Sequence, residues 1–293
     1  MPIFEFDTPE PILVTIGLDI GHVRLTAGDR SRTTVEVRAL DRDDASGVAT
    51  AGRAGVAYTA GELVVSAPTA RGLQGIGAVI VDIELPSGSR VHGNALAADF
   101  RGTGRLGECR ITAGCGHIRL DRTGPLLLSS VLGNVDVQHV AGDFEAVAGS
   151  GDVYIREIDG AVEANRGTGD IRIGEVSGGV RVYADSGDLH IGRAHAAVEA
   201  RATQGDIRID AMLRGPLVLE TASGKLEVGI PEGVRAHLDL DSHVGTVYQS
   251  LDFLDSSARK PEADAETVKV QARTLIGDIV IRRAALDLDE EWP

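Results

Sequence analysis

Three short patterns in the sequence contain residue types that could do chemistry. The first is a glycine pattern, Gly102-Thr103-Gly104-Arg105-Leu106-Gly107, which has the spacing of the dinucleotide-binding fingerprint. That fingerprint binds a pyrophosphate only where the glycines lead from a strand into a helix, because the helix N-terminus supplies the amide groups. Here the residues that follow alternate between apolar and polar, as in a strand, so we predict a turn and no nucleotide site.

The second pattern is a pair of cysteines close to a histidine, Cys109, Cys115 and His117. Thiolates and imidazoles are zinc ligands, so the pattern invites a metal site. In the repeat described below, however, Cys109 stands at an inward position that other copies fill with Val, Ile or Leu. Cys115 stands at a corner position that other copies fill with Ser or Thr. We therefore expect a core thiol and a corner thiol, and no metal site.

The third pattern is a column of acidic residues that recurs every 18 residues: Asp152, Asp170, Asp188 and Asp206, with Asn134 one period earlier. On neighbouring parallel strands these carboxylates would lie about 5 Å apart and repel one another. Three interpretations stay open. The side chains bond turn amides, or Arg172 and Arg208 offset their charge, or the carboxylates bind calcium as in the β-roll repeat, whose glycine-rich loop this sequence lacks.

The remaining polar residues form no catalytic motif. The 8 histidines show no metalloprotease spacing, and no Gly-x-Ser-x-Gly nucleophile elbow occurs. Parallel β-helix enzymes that act on polysaccharides use clustered carboxylates, but they have longer coils with loops that wall a cleft. This chain has few rings for stacking sugars, with 1 Trp, 4 Tyr and 5 Phe. We predict no enzymatic activity, no catalytic residue and no cofactor, and keep a polysaccharide-active β-helix enzyme as a lesser alternative.

A repeat positions all of these residues. The sequence word Gly-Asp-φ-x-φ, in which φ is aliphatic, recurs with a period of 18, and a second version of the word lies halfway between its copies. The first version starts at Gly151, Gly169, Gly187 and Gly205, and the second at Gly142, Gly160, Gly178 and Ala196. Within each word the apolar residues occupy alternate positions, which predicts a short, half-buried strand.

The outward residues of these strands distinguish a meander from a solenoid. Glu145, Glu163 and Glu199 share one phase of the 18-residue period and the aspartates share the other, so like residues recur at 18 and not at 9. In a solenoid, strands one coil apart stack in parallel, and each coil contributes one strand to each of two facing sheets. We therefore predict an all-β fold, a single two-sheet β-solenoid with 18-residue coils and irregular β-rich capping segments at both ends.

This pattern divides the chain into four segments. They are an N-terminal β segment continuous with the solenoid (1–106), regular solenoid coils (107–229), C-terminal capping coils (230–283) and an acidic tail (284–293). Three later segments are expected to cover the open end of the solenoid: Val247-Tyr248, Val268-Lys269-Val270 and the last strand word, at Gly277.

Two local features belong to the irregular segments. The stretch 41–55 is rich in Asp, Ala and Gly, which predicts a mobile loop. Leu85-Pro86 and Ile230-Pro231 begin two similar segments, each with a Gly, an Arg and a His at matching positions. We expect these segments to flank the regular coils.

Charge and composition exclude several classes of function. The chain has 293 residues and a net charge of −15, which argues against a nucleic-acid backbone or an anionic membrane as its main partner. Its 2 cysteines cannot form a disulfide framework. The sequence shows no signal-peptide pattern and no apolar run long enough to span a bilayer. We predict a cytoplasmic protein that does not insert directly into a membrane.

Taken together, these features resemble a known bacterial family. The resemblance rests on the Ser/Thr-Gly-Asp words, the two proline segments, Phe6-Asp7-Thr8-Pro9 and the closing Gly277-Asp278-Ile279-Val280-Ile281-Arg282. From about Phe4 to Arg283 the chain is similar to the bacterial putative-adhesin domains of unknown function, which are β-strand-repeat, toastrack-like domains. The resemblance implies a β-solenoid-like fold, no known catalytic residues and, for some members, a link to envelope stress or a surface role. The chain departs from those members in showing no signal peptide or membrane anchor.

The function that we predict is that of a non-enzymatic interaction or scaffold protein. It would present ladders of repeated side chains to a protein partner or to copies of itself, since repetition creates extended binding surfaces. The candidate interaction surface consists of Asp152, Asp170, Asp188, Asp206, Tyr154, Arg172, His190 and Arg208. The alternative from another class is a calcium-dependent, β-roll-like binding protein.

Overall fold

The computed structural model describes residues 3–67, 77–251 and 267–284. Within these ranges it contains 25 strands and one short helix, so the predicted all-β, β-solenoid fold class is confirmed. The chain forms two compact units, residues 1–152 and 153–293. Each unit is described by itself below.

The first unit begins with an irregular β region and continues into regular coils. Its elements are β1 (Ile3–Asp7), β2 (Leu13–Gly28), β3 (Arg32–Ala39), α1 (Ala45–Gly52), β4 (Gly55–Thr59), β5 (Glu62–Ser66), β6 (Val79–Pro86), β7 (Arg90–Arg105), β8 (Cys109–Cys115), β9 (Ile118–Thr123), β10 (Leu126–Leu132), β11 (Val135–Val140) and β12 (Phe144–Ser150).

Strand β7 continues a parallel stacking that β2 begins, since the two strands pair in parallel from Leu13 opposite Arg90 to Thr26 opposite Thr103. Its first half pairs in parallel with β8, with Val91 opposite Cys109, and its second half pairs in parallel with β9, with Phe100 opposite Ile118. Strand β10 then pairs with β8, and β11 with β9. The N-terminal region is less regular because β1–β3, β3–β6 and β4–β5 are antiparallel pairs.

The stretch 41–55 contains the helix α1, so the predicted loop is wrong for these residues. Asp44 is the N-cap: its Oδ1 accepts a hydrogen bond from the Ser46 amide and its Oδ2 accepts one from the Gly47 amide, each at 3.0 Å. The Ser46 hydroxyl also donates to Asp44, and these bonds lower the pKa of the carboxyl. The small residues Gly47, Thr50 and Ala51 are buried and let the helix approach β3 closely. The small residues that give this stretch the composition of a loop therefore form the face with which the helix packs.

The second unit consists of coils throughout. Its strands are β13 (Val153–Ile158), β14 (Val162–Thr168), β15 (Ile171–Val176), β16 (Val180–Ser186), β17 (Leu189–Ala194), β18 (Val198–Gln204), β19 (Ile207–Met212), β20 (Pro216–Ser223), β21 (Leu226–Ile230), β22 (Arg235–Val244), β23 (Val247–Ser250), β24 (Thr267–Ile276) and β25 (Ile279–Arg283).

Strands one coil apart pair in parallel, as the 18-residue period predicts. Strands β13, β15, β17, β19 and β21 form one sheet, and β14, β16, β18 and β20 form another. Arg172 stands opposite His190 in the first sheet, and Arg181 opposite Glu199 in the second. The inward aliphatic side chains are buried, for example Ile171 at 2% and Ile207 at 1% exposed. These pairings exclude a meander, in which neighbours in sequence would pair.

The last coil in the chain is not the last coil in the stack. Strand β24 pairs with β20 on one side and with β22 on the other, and β25 lies in the same way between β21 and β23. Of the three segments expected to cover the open end, Val247-Tyr248 therefore lies in the outer coil, whereas Val268-Lys269-Val270 and the word at Gly277 lie one coil inside. Among the described residues of this unit, β22 and β23 form the outermost coil.

The two proline segments make matching turns, and their role as flanks of the regular coils stays a prediction. The Ser89 amide donates to the Pro86 carbonyl and the Val234 amide to the Pro231 carbonyl, each at 3.3 Å. Gly88 and Gly233, inside these turns, have φ angles of 82° and 84°. The segment boundaries at 106 and 229 stay predictions, and residues 285–293 of the acidic tail lie outside the described residues. In the part of the chain that the structure covers, no helix is long and apolar enough to cross a membrane.

Candidate functional site

The aspartate column lies at the corner where the chain enters one sheet. In the second unit, Oδ1 of Asp170 accepts the Asp188 amide at 3.0 Å, and Oδ1 of Asp188 accepts the Asp206 amide at 2.8 Å. Oδ1 of Asp206 in turn accepts the Lys225 amide at 2.7 Å. Each carboxylate thus satisfies a backbone donor of the following coil. Of the three open interpretations, the bonding of turn amides is confirmed.

The same corner bond occurs outside the column and does not require a charge. In the first unit, Oδ1 of Asn134 accepts the Asp152 amide at 3.1 Å, and Oδ1 of Asp99 accepts the His117 amide at 2.8 Å. Nδ1 of His117 accepts the Asn134 amide at 3.2 Å. The corner position therefore takes a side chain with an acceptor atom, and Asp, Asn and His all serve.

The second group of candidate residues forms a row on the outward face of the sheet, which we call the outer row: Tyr154, Arg172, His190 and Arg208. Parallel pairing of β13, β15, β17 and β19 places these four side chains in register. The Arg172 guanidinium lies over the Tyr154 ring at 5.6 Å from its centroid, within the range of a cation–π interaction. Arg172 Nη2 is also 3.7 Å from Asp170 Oδ2, which offsets one charge of the column as the second interpretation expects.

Sequence reasoning missed the residue that organises the outer row. Asp210, two residues after Arg208, has a side chain only 9% exposed although it lies on the outward face. His190 Nε2 lies 2.5 Å from its Oδ2, Arg208 Nε donates to its Oδ1 at 2.7 Å, and Arg282 Nη2 lies 3.2 Å from the same oxygen. Arg208 is thus tied to Asp210 by this contact, and the part of the second interpretation that assigned it to the column stays a prediction.

The charges around Asp210 extend to a second carboxylate. Arg282 Nε donates to Glu227 Oε1 at 2.7 Å, and Lys225 Nζ donates to Glu227 Oε2 at 2.6 Å. Burial alone would raise the pKa of the Asp210 carboxyl. The hydrogen bonds and charges of His190 and Arg208 lower it by more than burial raises it, so the pKa is below its ordinary value. Glu227 behaves in the same way, with Lys225 and Arg282 as its partners. His190 and Arg208 of the outer row thus rest on a network whose carboxyls, Asp210 and Glu227, stay ionised at neutral pH.

One signal in the sequence could have identified Asp210. The register of β15, β17, β19 and β21 places Gly174, Gly192, Asp210 and Gly229 at one level of the sheet. A carboxylate at a level where the neighbouring coils carry glycine has no side chain beside it on its own level. Long side chains from other levels can therefore fold over it.

The cysteines and the glycine pattern lie where the repeat predicts. Cys109 is fully buried, and burial raises the pKa of its thiol to about 11. Cys115 is exposed at the end of β8. The glycine pattern leads from the end of β7 into β8, and Gly104 has a φ of +79°. A strand and not a helix follows these glycines, so they form the predicted turn.

Comparison with protein families gives one match. A family model described as Toastrack DUF4097 matches residues 80–282. No curated protein matches the chain.

Several solved structures are similar to the chain at low identity. A putative cell adhesion protein from Clostridium sporogenes shares 11% identity with a TM-score of 0.22, covering 96% of this chain and 99% of that chain. A putative adhesin from Parabacteroides merdae shares 14% identity with a TM-score of 0.39, covering 78% of this chain and 95% of that one. A putative lipid binding protein from Parabacteroides distasonis shares 12% identity with a TM-score of 0.31, covering 78% and 93% of the two chains.

Proposed function

Because the chain belongs to the Toastrack DUF4097 family, a membership that confirms the resemblance seen in the sequence, we propose that it is a non-enzymatic scaffold that binds a protein partner. The binding surface of this proposal is the outer row together with the aspartates Asp170, Asp188 and Asp206 beside it.

The observation that carries this proposal is that the outer row is ordered before any partner arrives. His190 and Arg208 are both held by the buried Asp210, and Arg172 is held between Tyr154 and Asp170. Long side chains normally lose rotamer freedom when they bind, which costs about 0.5–1.5 kcal/mol for each one. A row that is already fixed avoids part of this cost, so it suits binding more than a disordered charged surface would.

The charge pattern indicates the kind of partner. The aspartate column forms an acidic stripe along the corner, and Arg172 and Arg208 form a basic stripe beside it. A partner with complementary stripes gains specificity and a faster encounter, whereas a polyanion such as nucleic acid would meet the acidic stripe. The surface therefore fits a folded protein with alternating charges.

A pair of charge-reversal variants tests this function. Arg156, two residues after Tyr154, is exposed on the same face. The double substitution Arg156→Glu, Arg172→Glu should remove partner capture from the native lysate and leave the fold intact. Arg208 is left unchanged in this test, because its reversal would place a second carboxylate against Asp210.

The matched control is Arg181→Glu, a reversal of the same kind on the other sheet, where Arg181 is exposed and lies 3.5 Å from Glu199. We expect this control to capture the same partner as the unmodified chain. Equal capture by the double variant and the control, with melting curves showing that both are folded, would show that the partner does not bind through the outer row.

The compartment is a separate part of the proposal. We place the protein in the cytoplasm on the basis of its sequence features. Separation of cells into soluble, membrane and surface fractions, followed by immunodetection of the unmodified chain, tests this location. Recovery mainly in the surface fraction would contradict it.

A further inference from the structure

Three arginines stand directly opposite one another on the outward face of the first unit. Parallel pairing places Arg24 of β2 opposite Arg101 of β7, and Arg101 opposite Arg119 of β9. All three arginines are exposed, and the residues directly before and after each of them are buried. Neighbouring strands lie about 4.8 Å apart, so three cationic side chains follow one another at this spacing. We call these three residues the arginine row.

The carboxylates in register with the arginine row lie at its two ends. Asp82 on β6 stands opposite Arg24, with its Oδ1 atom 3.8 Å from Arg24 Nη1. Asp136 on β11 stands opposite Arg119, and its Oδ2 accepts a hydrogen bond from Arg119 Nε at 3.1 Å. Arg101 therefore has an arginine on each side, and within the described ranges it forms no ion pair with a carboxylate.

The arginine row has the charge and the donors of an anion site. Like charges directly opposite one another on neighbouring strands destabilise a sheet, and a bound anion between them offsets this cost. A guanidinium carries five N–H donors in a planar fork, which matches the oxygens of an oxyanion bidentately. Arg101, in the centre, can direct its fork to an anion while Arg24 and Arg119 add positive charge on either side.

The number of donors favours a phosphate group over a carboxylate. A bidentate contact with Arg101 uses two oxygens of the anion. A carboxylate has no further oxygen, whereas a phosphate group has a third one for Arg24 or Arg119. A phosphate group also carries a charge of about −1.5 to −2 at pH 7, which matches more than one guanidinium.

Acidic residues around the arginine row limit the size of the ligand. Asp99 lies two residues before Arg101, and Asp121 lies two residues after Arg119, so both aspartates lie on the outward face beside the row. Two more carboxylates close the ends of the row. A polyanion or an anionic surface that covered this face would meet these carboxylates, whereas a single phosphate group between the arginines would not. The row therefore fits a small molecule.

We propose that the arginine row binds one phosphate group, either as inorganic phosphate or as the phosphate monoester of a small molecule. Arg101 makes the bidentate contact, and Arg24 and Arg119 stabilise the remaining charge from either side. The site goes beyond the proposed scaffold function. It lies in the first unit and uses none of the residues of the outer row.

Titration calorimetry of the full chain with inorganic phosphate, at constant ionic strength, tests the site. We expect one phosphate to bind to each chain. Arg101→Gln removes the fork and the central charge, so the dissociation constant should rise at least about tenfold. Arg101→Lys keeps the charge without the fork, and its dissociation constant should lie between the other two. Acetate should bind the unmodified chain more weakly than phosphate does.

Titration with phenyl phosphate distinguishes the two sources of the phosphate group. A monoester leaves three oxygens for the arginines and carries a substituent on the fourth. Binding of phenyl phosphate at least as tight as that of inorganic phosphate would assign the site to a monoester. Weaker binding would assign it to inorganic phosphate.

The melting temperature gives a second readout. Without phosphate, the Arg101→Gln chain should melt at the same temperature as the unmodified chain or higher, since the substitution relieves the repulsion between like charges. Phosphate should raise the melting temperature of the unmodified chain and not that of the variant, because a ligand of the folded state stabilises it. Potassium chloride at the same ionic strength is the control for charge screening.

Arg110→Gln is the matched control variant. Arg110 is an exposed arginine of the same unit that lies on β8, opposite His92 in the first half of β7. Its Nε atom is 2.5 Å from Glu108 Oε1, so it already has a carboxylate partner. We expect this variant to bind phosphate like the unmodified chain.

Three results would overturn the proposal. The first is an unmodified chain that neither binds phosphate nor melts at a higher temperature in its presence. The second is a folded Arg101→Gln chain that binds phosphate as tightly as the Arg110→Gln control. The third is an unmodified chain that binds acetate as tightly as phosphate. Failure of the phosphate site is distinguishable from failure of the scaffold function, because partner capture through the outer row is expected to survive Arg101→Gln.

Discussion

At the scale of single residues, the corner aspartates act as hydrogen-bond acceptors for the next coil. Asp188 accepts the Asp206 amide and gives its own amide to Asp170, so it links three coils. Asp188→Asn keeps an acceptor oxygen and removes one charge from the column. Asp188→Ala removes both the charge and the acceptor.

We expect the Ala variant to be less stable than the Asn variant by about 1 kcal/mol, the usual net contribution of a hydrogen bond. The comparison isolates the bond because both variants lose the same charge. The Asn variant should equal the unmodified chain or exceed it slightly, since Asn134 makes the same bond in the first unit. Urea unfolding measures the three free energies, and an Ala variant as stable as the Asn variant would show that the bond contributes nothing.

Asp210 makes stability depend on pH. The pKa of its carboxyl is lowered in the folded chain, because hydrogen bonds and charges from His190 and Arg208 outweigh the effect of burial. A group whose pKa is lower in the folded than in the unfolded state stabilises the fold above its unfolded pKa, about 3.9 for Asp, and this contribution is lost as the pH falls through the folded pKa.

Asp210→Asn should therefore lower the free energy of unfolding at pH 7 by about 1–3 kcal/mol, because Arg208 and Arg282 lose the charge that they face. The difference between the two proteins should shrink below about pH 4, where the Asp210 carboxyl of the unfolded unmodified chain takes up a proton while that of the folded chain is still ionised. Urea unfolding between pH 7 and pH 3 checks both statements. A constant difference over this range would contradict the assignment of the pH dependence to Asp210.

At the scale of the elements, the coils stack through glycine corners that leave no room for a side chain. Gly187 has a φ of +127°, and a Cβ there would lie 2.2 Å from the Gly169 carbonyl oxygen. Gly187→Ala should cost about 3 kcal/mol or more, since both the backbone conformation and the contact are unfavourable. Gly179→Ala is the matched control, because a Cβ at Gly179 meets only the Ala197 carbonyl oxygen, at 3.7 Å.

The melting temperature of the Gly179→Ala chain should stay unchanged or rise, since alanine restricts the unfolded chain. Equal melting temperatures for the two alanine variants would mean that the corner at Gly187 can accommodate a Cβ without loss of stability. The glycine corners also explain why the strands could be located from sequence. Each Gly marks the start of a strand, and the aliphatic residues that follow alternate with a period of two.

One element and the place of another in the stack could not be predicted from these patterns. Helix α1 has the composition of a loop. Only Asp44 signals the start of a helix, because an Asp side chain at this position can accept hydrogen bonds from the amides two and three residues later. The insertion of β24 between β20 and β22 leaves no trace in the sequence, because alternation locates a strand without saying which strands lie beside it. Asp210 was missed for a related reason, since strand alternation places it outward and its burial depends on Arg282 from β25.

At the scale of the whole molecule, the phase of the outward residues was enough to predict a solenoid and exclude a meander. Glu163 and Glu199 are two 18-residue periods apart and the aspartates recur every 18 residues in another phase, and parallel pairing places residues of one phase on one face. The kind of ligand does not follow from this regularity, because a column of carboxylates fits either backbone amides or cations. The corner hydrogen bonds remove that ambiguity only in part, since each bond uses one oxygen of a carboxylate.

The calcium alternative therefore makes a prediction for the whole molecule that differs from ours. An ion bound only to the folded state stabilises it in proportion to the logarithm of its concentration. Because the Oδ1 atoms of Asp170, Asp188 and Asp206 already accept amides, we expect the folded column to need no ion. Addition of EDTA or of millimolar calcium should shift the melting temperature by less than about 1 °C, with magnesium as the control for general charge screening. A melting temperature that rises steadily with calcium and not with magnesium, and whose rise is reduced by Asp188→Asn, would instead assign the column to calcium.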